Sequence, residues 1–256
     1  MSASPPGDPS FEAWLASLDR RYLADLTPAE VARALRALSS CYVERRTKLE
    51  TGGALGSAGK RAAFALFYGP VHFVVCREIV RALDAGEALT EIVDVGCGTG
   101  VAGAAWALEA PRARVRGLDR HPWAVSEANW TYRELGVDGH AVRGDAARLR
   151  IRSARQAGIV AAYTLNELDS TAREHLLAEL LAAHARGACV LVVEPIARRI
   201  APWWREWADA VAGVRGRADE WRFRAGWLPE RQRGLAKAAG LDLRELTARS
   251  LYIPPS

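Results

Sequence analysis

Hydrophobic and polar positions divide the chain into a helical first third and a longer stretch in which short apolar runs alternate with amphipathic ones. From Phe11 to about Arg46 the spacing is helical, with Phe11, Trp14, Leu15 and Leu18 at i, i+3, i+4 and i+7. Thr27, Pro28 and Glu30 form a capping box that opens a second helix, Val31 to Tyr42. Thr51 to Gly59, TGGALGSAG, reads as a flexible breaker. Lys60 to Leu83 reads as helical on both sides of Tyr68-Gly69-Pro70, a hinged pair that could cap a cleft. After Thr90 the period changes. Ile92, Val93 and Val95 predict a buried strand, and Val101 to Leu108 an alanine-rich helix. Strands follow at Val115 to Leu118, Ala141 to Gly144, Gly158 to Leu165 and Cys189 to Glu194. Between them lie a helix bounded by Pro122 and Gly136 and a leucine-striped one from Ser170 to His184. Leu228 to Ala239 predicts a further helix, and Leu241 to Ile253 the last strand or two. Such alternation predicts an α/β fold, a doubly wound and mostly parallel sheet with helices on both faces. The expected organisation is a disordered tail at 1–10, a helical cap at 11–87 and an α/β domain at 88–256.

Composition narrows the setting. A chain of 256 residues can build a core without staples. Its four cysteines, Cys41, Cys76, Cys97 and Cys189, are widely spaced, so no disulfide framework, zinc site or iron-sulfur site is expected. No apolar run approaches the roughly 20 residues of a membrane span, and MSASPPGDPS lacks the features of a secretory signal. A cytoplasmic protein without membrane or metal partners is therefore expected. The net charge of +5 is carried almost wholly by arginine, since Lys48, Lys60 and Lys237 are the only lysines, and it permits RNA binding.

The chemistry centres on Thr90 to Gly100, TEIVDVGCGTG. The strand carries one acid, Asp94, and breaks into Gly96, Gly98 and Gly100, where unusual backbone angles and close approach of a ligand to the amides exclude a Cβ. A dinucleotide fingerprint would place its third glycine at position 101, which is Val101. The stretch resembles motif I of the class I S-adenosylmethionine (SAM) dependent methyltransferases. Two further acids end the next two strands. Asp119 can accept both ribose hydroxyls of an adenosine, and Asp145 can accept from an adenine amino group or cap the helix that follows. The resemblance covers about residues 88 to 195 and implies a seven-stranded Rossmann-like methyltransferase sheet. It also implies SAM as cofactor, with Asp94 near the methionine end, Gly96, Gly98 and Gly100 lining the loop, Asp119 on ribose and Asp145 on adenine.

The group that meets the methyl normally follows the fourth strand, here Tyr163-Thr164-Leu165-Asn166-Glu167-Leu168. Asn166 could orient an amine or base edge and Glu167 could accept a proton; the alternative is a polar strand end that caps the next helix. The Asn-Pro-Pro-aromatic motif of the amino-methylating enzymes is absent. Glu194-Pro195 is a second candidate wall of the acceptor pocket. His72, His121, His175 and His184 read as structural or surface histidines, and no G-x-S-x-G elbow occurs.

Several stretches also resemble the methyltransferase family associated with the mitochondrial small ribosomal subunit and its bacterial relatives. They are Leu38-Ser39-Ser40 leading to Tyr42, the helix around Tyr68 to Val80, Leu165-Asn166-Glu167-Leu168, Val192-Val193-Glu194-Pro195, and Asp219-Glu220-Trp221-Arg222-Phe223. That family commonly carries a cysteine cluster after the fifth strand, and this chain has no cysteine beyond Cys189. This narrower resemblance implies an RNA acceptor, with the small ribosomal subunit as the candidate. Five of the nine tryptophans, Trp203, Trp204, Trp207, Trp221 and Trp227, interleave with arginines. They could stack on unpaired bases, but packing of Trp203, Trp204 and Trp207 from an amphipathic helix onto the sheet is the favoured reading. The expected function is methyl transfer to RNA. A small-molecule methyltransferase with Tyr68 and the tryptophans closing over an apolar acceptor, or a non-catalytic SAM-binding assembly factor, are the alternatives.

Overall fold

The computed structural model describes residues 9–44, 55–86, 88–152, 155–196, 201–241 and 243–255, with the side chains of 41–44 excepted. Its centre is a sheet of seven strands: β1 (Glu91–Val95), β2 (Arg114–Asp119), β3 (Gly139–Arg143), β4 (Ala157–Ala162), β5 (Cys189–Glu194), β6 (Arg217–Arg224) and β7 (Glu245–Ile253). Their order is β3-β2-β1-β4-β5-β7-β6. The first five run parallel, and β7 inserts antiparallel between β5 and β6. The chain winds outward through β2 and β3, then returns to start again at β4 beside β1. That reversal makes a crevice at the carboxyl ends of β1 and β4, where ligands of open α/β sheets bind.

Two hydrophobic layers sandwich the sheet. On one face lie α1 (Pro9–Tyr22), α2 (Pro28–Glu44), α3 (Ala58–Ala63), α4 (Gly69–Ala82), α5 (Val101–Glu109), α6 (Pro122–Glu134) and α9 (Glu230–Ala238). On the other lie α7 (Ser170–Ala185) and α8 (Trp204–Gly213), with Leu176, Leu180, Trp207 and Val211 against Val190, Val192 and Leu251. The amino-terminal helices belong to the first layer. Phe11 stacks on Phe73 at 4.8 Å, and Arg21 of α1 reaches the buried Glu127 of α6 at 3.2 Å. The capping box forms as its residues predict: the Thr27 amide donates to Glu30 at 2.8 Å and the Glu30 amide to Thr27 Oγ1 at 3.3 Å.

Five local expectations are corrected. The first helix includes Pro9 and Ser10, expected in the tail, whose first eight residues lie outside the described ones. The Tyr68-Gly69-Pro70 hinge does not break the helix; Phe64–Tyr68 is a π-helical segment joining α3 to α4 without a turn. The resulting run Ala58–Ala82 is long and apolar enough to cross a membrane, contrary to the expectation from apolar runs, yet most of its apolar stretch is buried within the fold, as befits a core helix. The fourth strand stops at Ala162 instead of reaching Leu165. Arg217–Arg224, expected as part of an irregular tryptophan and arginine segment, is the edge strand β6, and β7 is the one strand of 241–253. Within that segment Trp203 and Trp207 are buried beneath α8, in keeping with the packing reading, while Arg198 and Arg199 lie outside the described residues.

Candidate active site

The three loop glycines adopt left-handed backbone angles, with φ of +67° at Gly96, +52° at Gly98 and +78° at Gly100. They differ in what surrounds them. A Cβ on Gly96 would strike Thr164 at 2.4 Å and one on Gly100 would strike Tyr132 at 2.8 Å, so these two close the loop onto β4 and α6. At Gly98 nothing lies closer than the Phe64 ring at 3.9 Å. The space beside Gly98 is a cradle that only a glycine leaves open.

Asp94 lies under this loop. It is buried, and its carboxylate accepts from the Gly103 amide at 2.8 Å, tying the end of β1 to the first turn of α5; burial pushes its pKa up to about 7. Asp119 lies beside the loop, half-buried. One carboxylate oxygen accepts from the Gly98 amide at 3.0 Å and the other from the His121 amide at 2.7 Å. Each oxygen keeps a lone-pair site, and such an acceptor-only group with two adjacent free sites fits a pair of vicinal hydroxyls. The Gly144 amide donates to the Asp119 carbonyl at 3.0 Å, which brings the end of β3 alongside. Asp145 is exposed there and accepts from the Ala147 amide at 3.0 Å, so it caps the following turn. The Thr99 hydroxyl, in the same loop, is buried and unpartnered. Cradle, carboxylate and orphaned hydroxyl together fit an adenosine-bearing cofactor at this crevice.

The acceptor candidates flank it. After β4 the chain makes a single tight turn, Leu165–Glu167. Glu194, at the end of β5 and fully buried, holds that turn by accepting from the Leu165 amide at 2.8 Å and from the Asn166 side-chain amide. Arg173 of α7 donates to the Leu165 and Leu168 carbonyls from behind. Glu167 is half-buried, and desolvation pushes its pKa up to about 7, opposed by Arg120 and reinforced by Asp119. That coupling sets it on the same edge as the ribose candidate.

A group that periodicity does not reveal completes the crevice. Tyr163 occupies a left-handed conformation, φ +58°, and its ring stacks on His72 at 3.6 Å and 10°. Phe64 and Tyr68 lie 6.2 and 5.7 Å from His72, and Trp123 meets Phe64 edge-on at 6.4 Å. Burial holds His72 neutral, with a pKa lowered to about 3, so it acts as a flat ring and carries no charge. One signal was present in the sequence: Phe64, Tyr68 and His72 are spaced four apart on one helical stripe. His121 instead accepts from the Trp123 amide at 3.2 Å and caps α6, as expected of a structural histidine. Among the described residues no group of His, Cys, Asp and Glu could hold a metal ion.

Residues 92–187 match the model of a family described as a methyltransferase domain. No curated protein matches the sequence. Among solved structures, the plantazolicin methyltransferase BpumL, in complex with a monoazolic desmethylPZN analog and SAH, is similar at 13% identity. That alignment covers 93% of this chain and 99% of the other, with a TM-score of 0.51. A TehB-like SAM-dependent methyltransferase from Corynebacterium glutamicum is 19% identical over 86% of this chain and 99% of its own, with a TM-score of 0.45. The stretch from β1 to the end of α7 thus matches a methyltransferase domain, and the plantazolicin methyltransferase shares its fold.

Proposed function

We propose that the protein is a SAM-dependent methyltransferase that acts on a flat, aromatic small molecule held against the rings of Phe64, Tyr68, His72 and Tyr163. The observation that carries this reading is the aromatic wall itself: uncharged rings contributed by the helical cap and by the end of β4 pack on one another, and Phe64 among them stands beside the open side of Gly98. Flat acceptors gain contact area and ring stacking there. In this reading Gly98, Asp119 and Asp145 hold the cofactor, which supplies when bound an electrophilic methyl group on a sulfonium. The chain itself orients and deprotonates. The Leu165–Glu167 turn, fixed by Glu194 and Arg173, sets the acceptor in line, and positioning of this kind supplies much of the acceleration. Glu167, with a pKa near 7, accepts the proton released when an N–H or O–H nucleophile is methylated.

A second reading, an RNA base as acceptor, is favoured by a different observation. On β6, Trp221 and Phe223 stack at 6.1 Å, and Phe223 and Trp227 at 5.4 Å, half-exposed beside Arg222 and Arg224. With a net charge of +5, this edge suits a single strand, in line with the resemblance to ribosome-associated methyltransferases. One assay separates the two. Labelled SAM is offered with the protein to a metabolite extract and, in parallel, to total RNA and ribosomal subunits from cells lacking the gene. Label in the extract supports the small-molecule reading, label in RNA replaces it with the second, and no label in either sinks both.

A further inference from the structure

We propose that Glu194 is the positioning residue of the acceptor site, fixing the Asn166 side-chain amide with its nitrogen inward and Oδ1 turned away, so that the enzyme selects acceptors that donate a hydrogen bond, N–H or O–H nucleophiles. The inference deepens the function proposed above and rests on it in placing Asn166 beside the acceptor. Its geometric basis is independent of the acceptor's identity. Glu194 is fully buried, takes the Leu165 amide on Oε1, and meets Asn166 Nδ2 on Oε2. An ionised carboxylate only accepts, so the amide of Asn166 has one permitted orientation against it. The support for Glu194 is equally specific. Arg249 stands opposite it in the β5–β7 register and lies over the Trp204 ring at 3.9 Å. Arg173, over Trp203 at 5.8 Å, holds the carbonyl side of the same turn.

Protonation changes this arrangement, because a neutral carboxyl can donate through its hydroxyl and accept the reversed amide. Burial pushes the Glu194 pKa up to about 8, opposed by the Leu165 amide and Arg249 and reinforced by Glu167. The charged and titratable groups around it are Tyr163 and Glu167 at the end of β4, Arg249 on β7, Glu220 beyond it on β6, and Arg173 on α7. Asn166 is therefore locked nitrogen-inward only on the alkaline side.

The chain contains only two asparagines, Asn129 and Asn166, which makes a direct test possible. Protein labelled with 15N in the asparagine side-chain amide gives two NH2 pairs by NMR. Asn129 serves as a fold control, since its amide is held by the Val125 and Ala141 carbonyls at 2.9 Å each. In the wild type the Asn166 pair shifts with an inflection on the alkaline side of neutrality. In Glu194→Gln, whose side-chain nitrogen forces the reversed amide, the Asn166 pair is displaced and the inflection is gone, while the Asn129 pair is unmoved. An Asn166 signal indifferent to Glu194→Gln overturns the proposal. In the transfer assay with metabolite extract and total RNA, the variant loses about 100-fold in kcat, while its affinity for SAM stays within about twofold of wild type. Unimpaired transfer by a variant whose amide has reversed refutes the selection of hydrogen-bond donors. A wild type that labels nothing removes the functional reading alone, and the NMR result still decides the orientation of Asn166.

Discussion

At the scale of single residues, two positions carry most of the argument about the crevice. Asp119 is tied by both oxygens to backbone amides of its surroundings, so its carboxylate is preorganised toward the cofactor with no side-chain entropy left to lose. Replacing it with alanine should weaken SAM binding by about 1.5 to 3 kcal/mol, the usual worth of charge-assisted hydrogen bonds; unchanged affinity in titration calorimetry would refute the ribose assignment. Tyr163 is the other. Its amide donates to the Val193 carbonyl at 2.8 Å, continuing the β4–β5 ladder, and only then does the backbone turn left-handed and bring the ring onto His72. A tyrosine at positive φ is strained, which marks a site that the fold holds against its preference. Stability at this position should invert the common order, with Tyr163→Gly more stable than Tyr163→Ala by about 1 kcal/mol. Urea unfolding of the pair measures it, and an alanine variant as stable as the glycine one would show that the strain is absent.

At the scale of elements, the sequence revealed those whose periodicity is clean and obscured those whose residues serve two environments. β1 and β5 are legible because a strand buried on both faces needs a nearly continuous apolar run, as Ile92 to Val95, interrupted only by Asp94, and Val190 to Val193 supply. β6 is not, because an edge strand is charged: Arg217, Asp219, Glu220, Arg222 and Arg224 hide the alternation of Trp221 with Phe223 that packs it on β7. The glycine loop and the strand-end acids could be read from spacing, since backbone geometry dictates them. The aromatic wall could be read only in part: Phe64, Tyr68 and His72 share a stripe, but Tyr163 owes its direction to its own left-handed backbone, and the π-helical segment 64–68 rotates Phe64 and Tyr68 relative to a regular helix. Asp94 shows the limit from the other side. Its position in the motif was evident, but whether it turns to a ligand or to the Gly103 amide depends on the packing of α5. The junction of loop and helix is testable through Gly100. A methyl group there would meet Tyr132 at 2.8 Å and Ala128 at 2.9 Å on α6, and the residue has positive φ. Gly100→Ala should therefore cost about 2 kcal/mol or more, read as a lowered urea midpoint, whereas a neutral substitution would mean that α6 can move away.

Across the whole molecule, the crevice collects acids that the fold desolvates without fully pairing them. Asp94 and Glu194 are buried, with pKa values pushed up by desolvation to about 7 and about 8, and the half-buried Glu167 follows at about 7. In the unfolded chain the same carboxyls titrate near 4. Between those values the folded protein holds protons that the unfolded chain has already released, so stability falls as pH rises through that interval. The contribution is intact below about pH 4 and is lost progressively up to about pH 8. His72 acts with the opposite sign, because its folded pKa is lowered to about 3; its contribution grows with pH and is complete once the free imidazole has titrated near 6.5. The range from about pH 7 to about pH 8.5 therefore leaves out His72 and retains the acids, together with the buried thiols of Cys76, Cys97 and Cys189, whose raised pKa values act in the same direction and are unchanged in a Glu194 variant. Urea unfolding should show a midpoint that declines across it, corresponding to at least about 1 kcal/mol with the slope unchanged. Glu194→Gln, which is neutral at every pH, should flatten that decline, whereas a midpoint that rises, or an equal decline in the variant, would mean that Glu194 is ionised throughout and that its charge is balanced by Arg249.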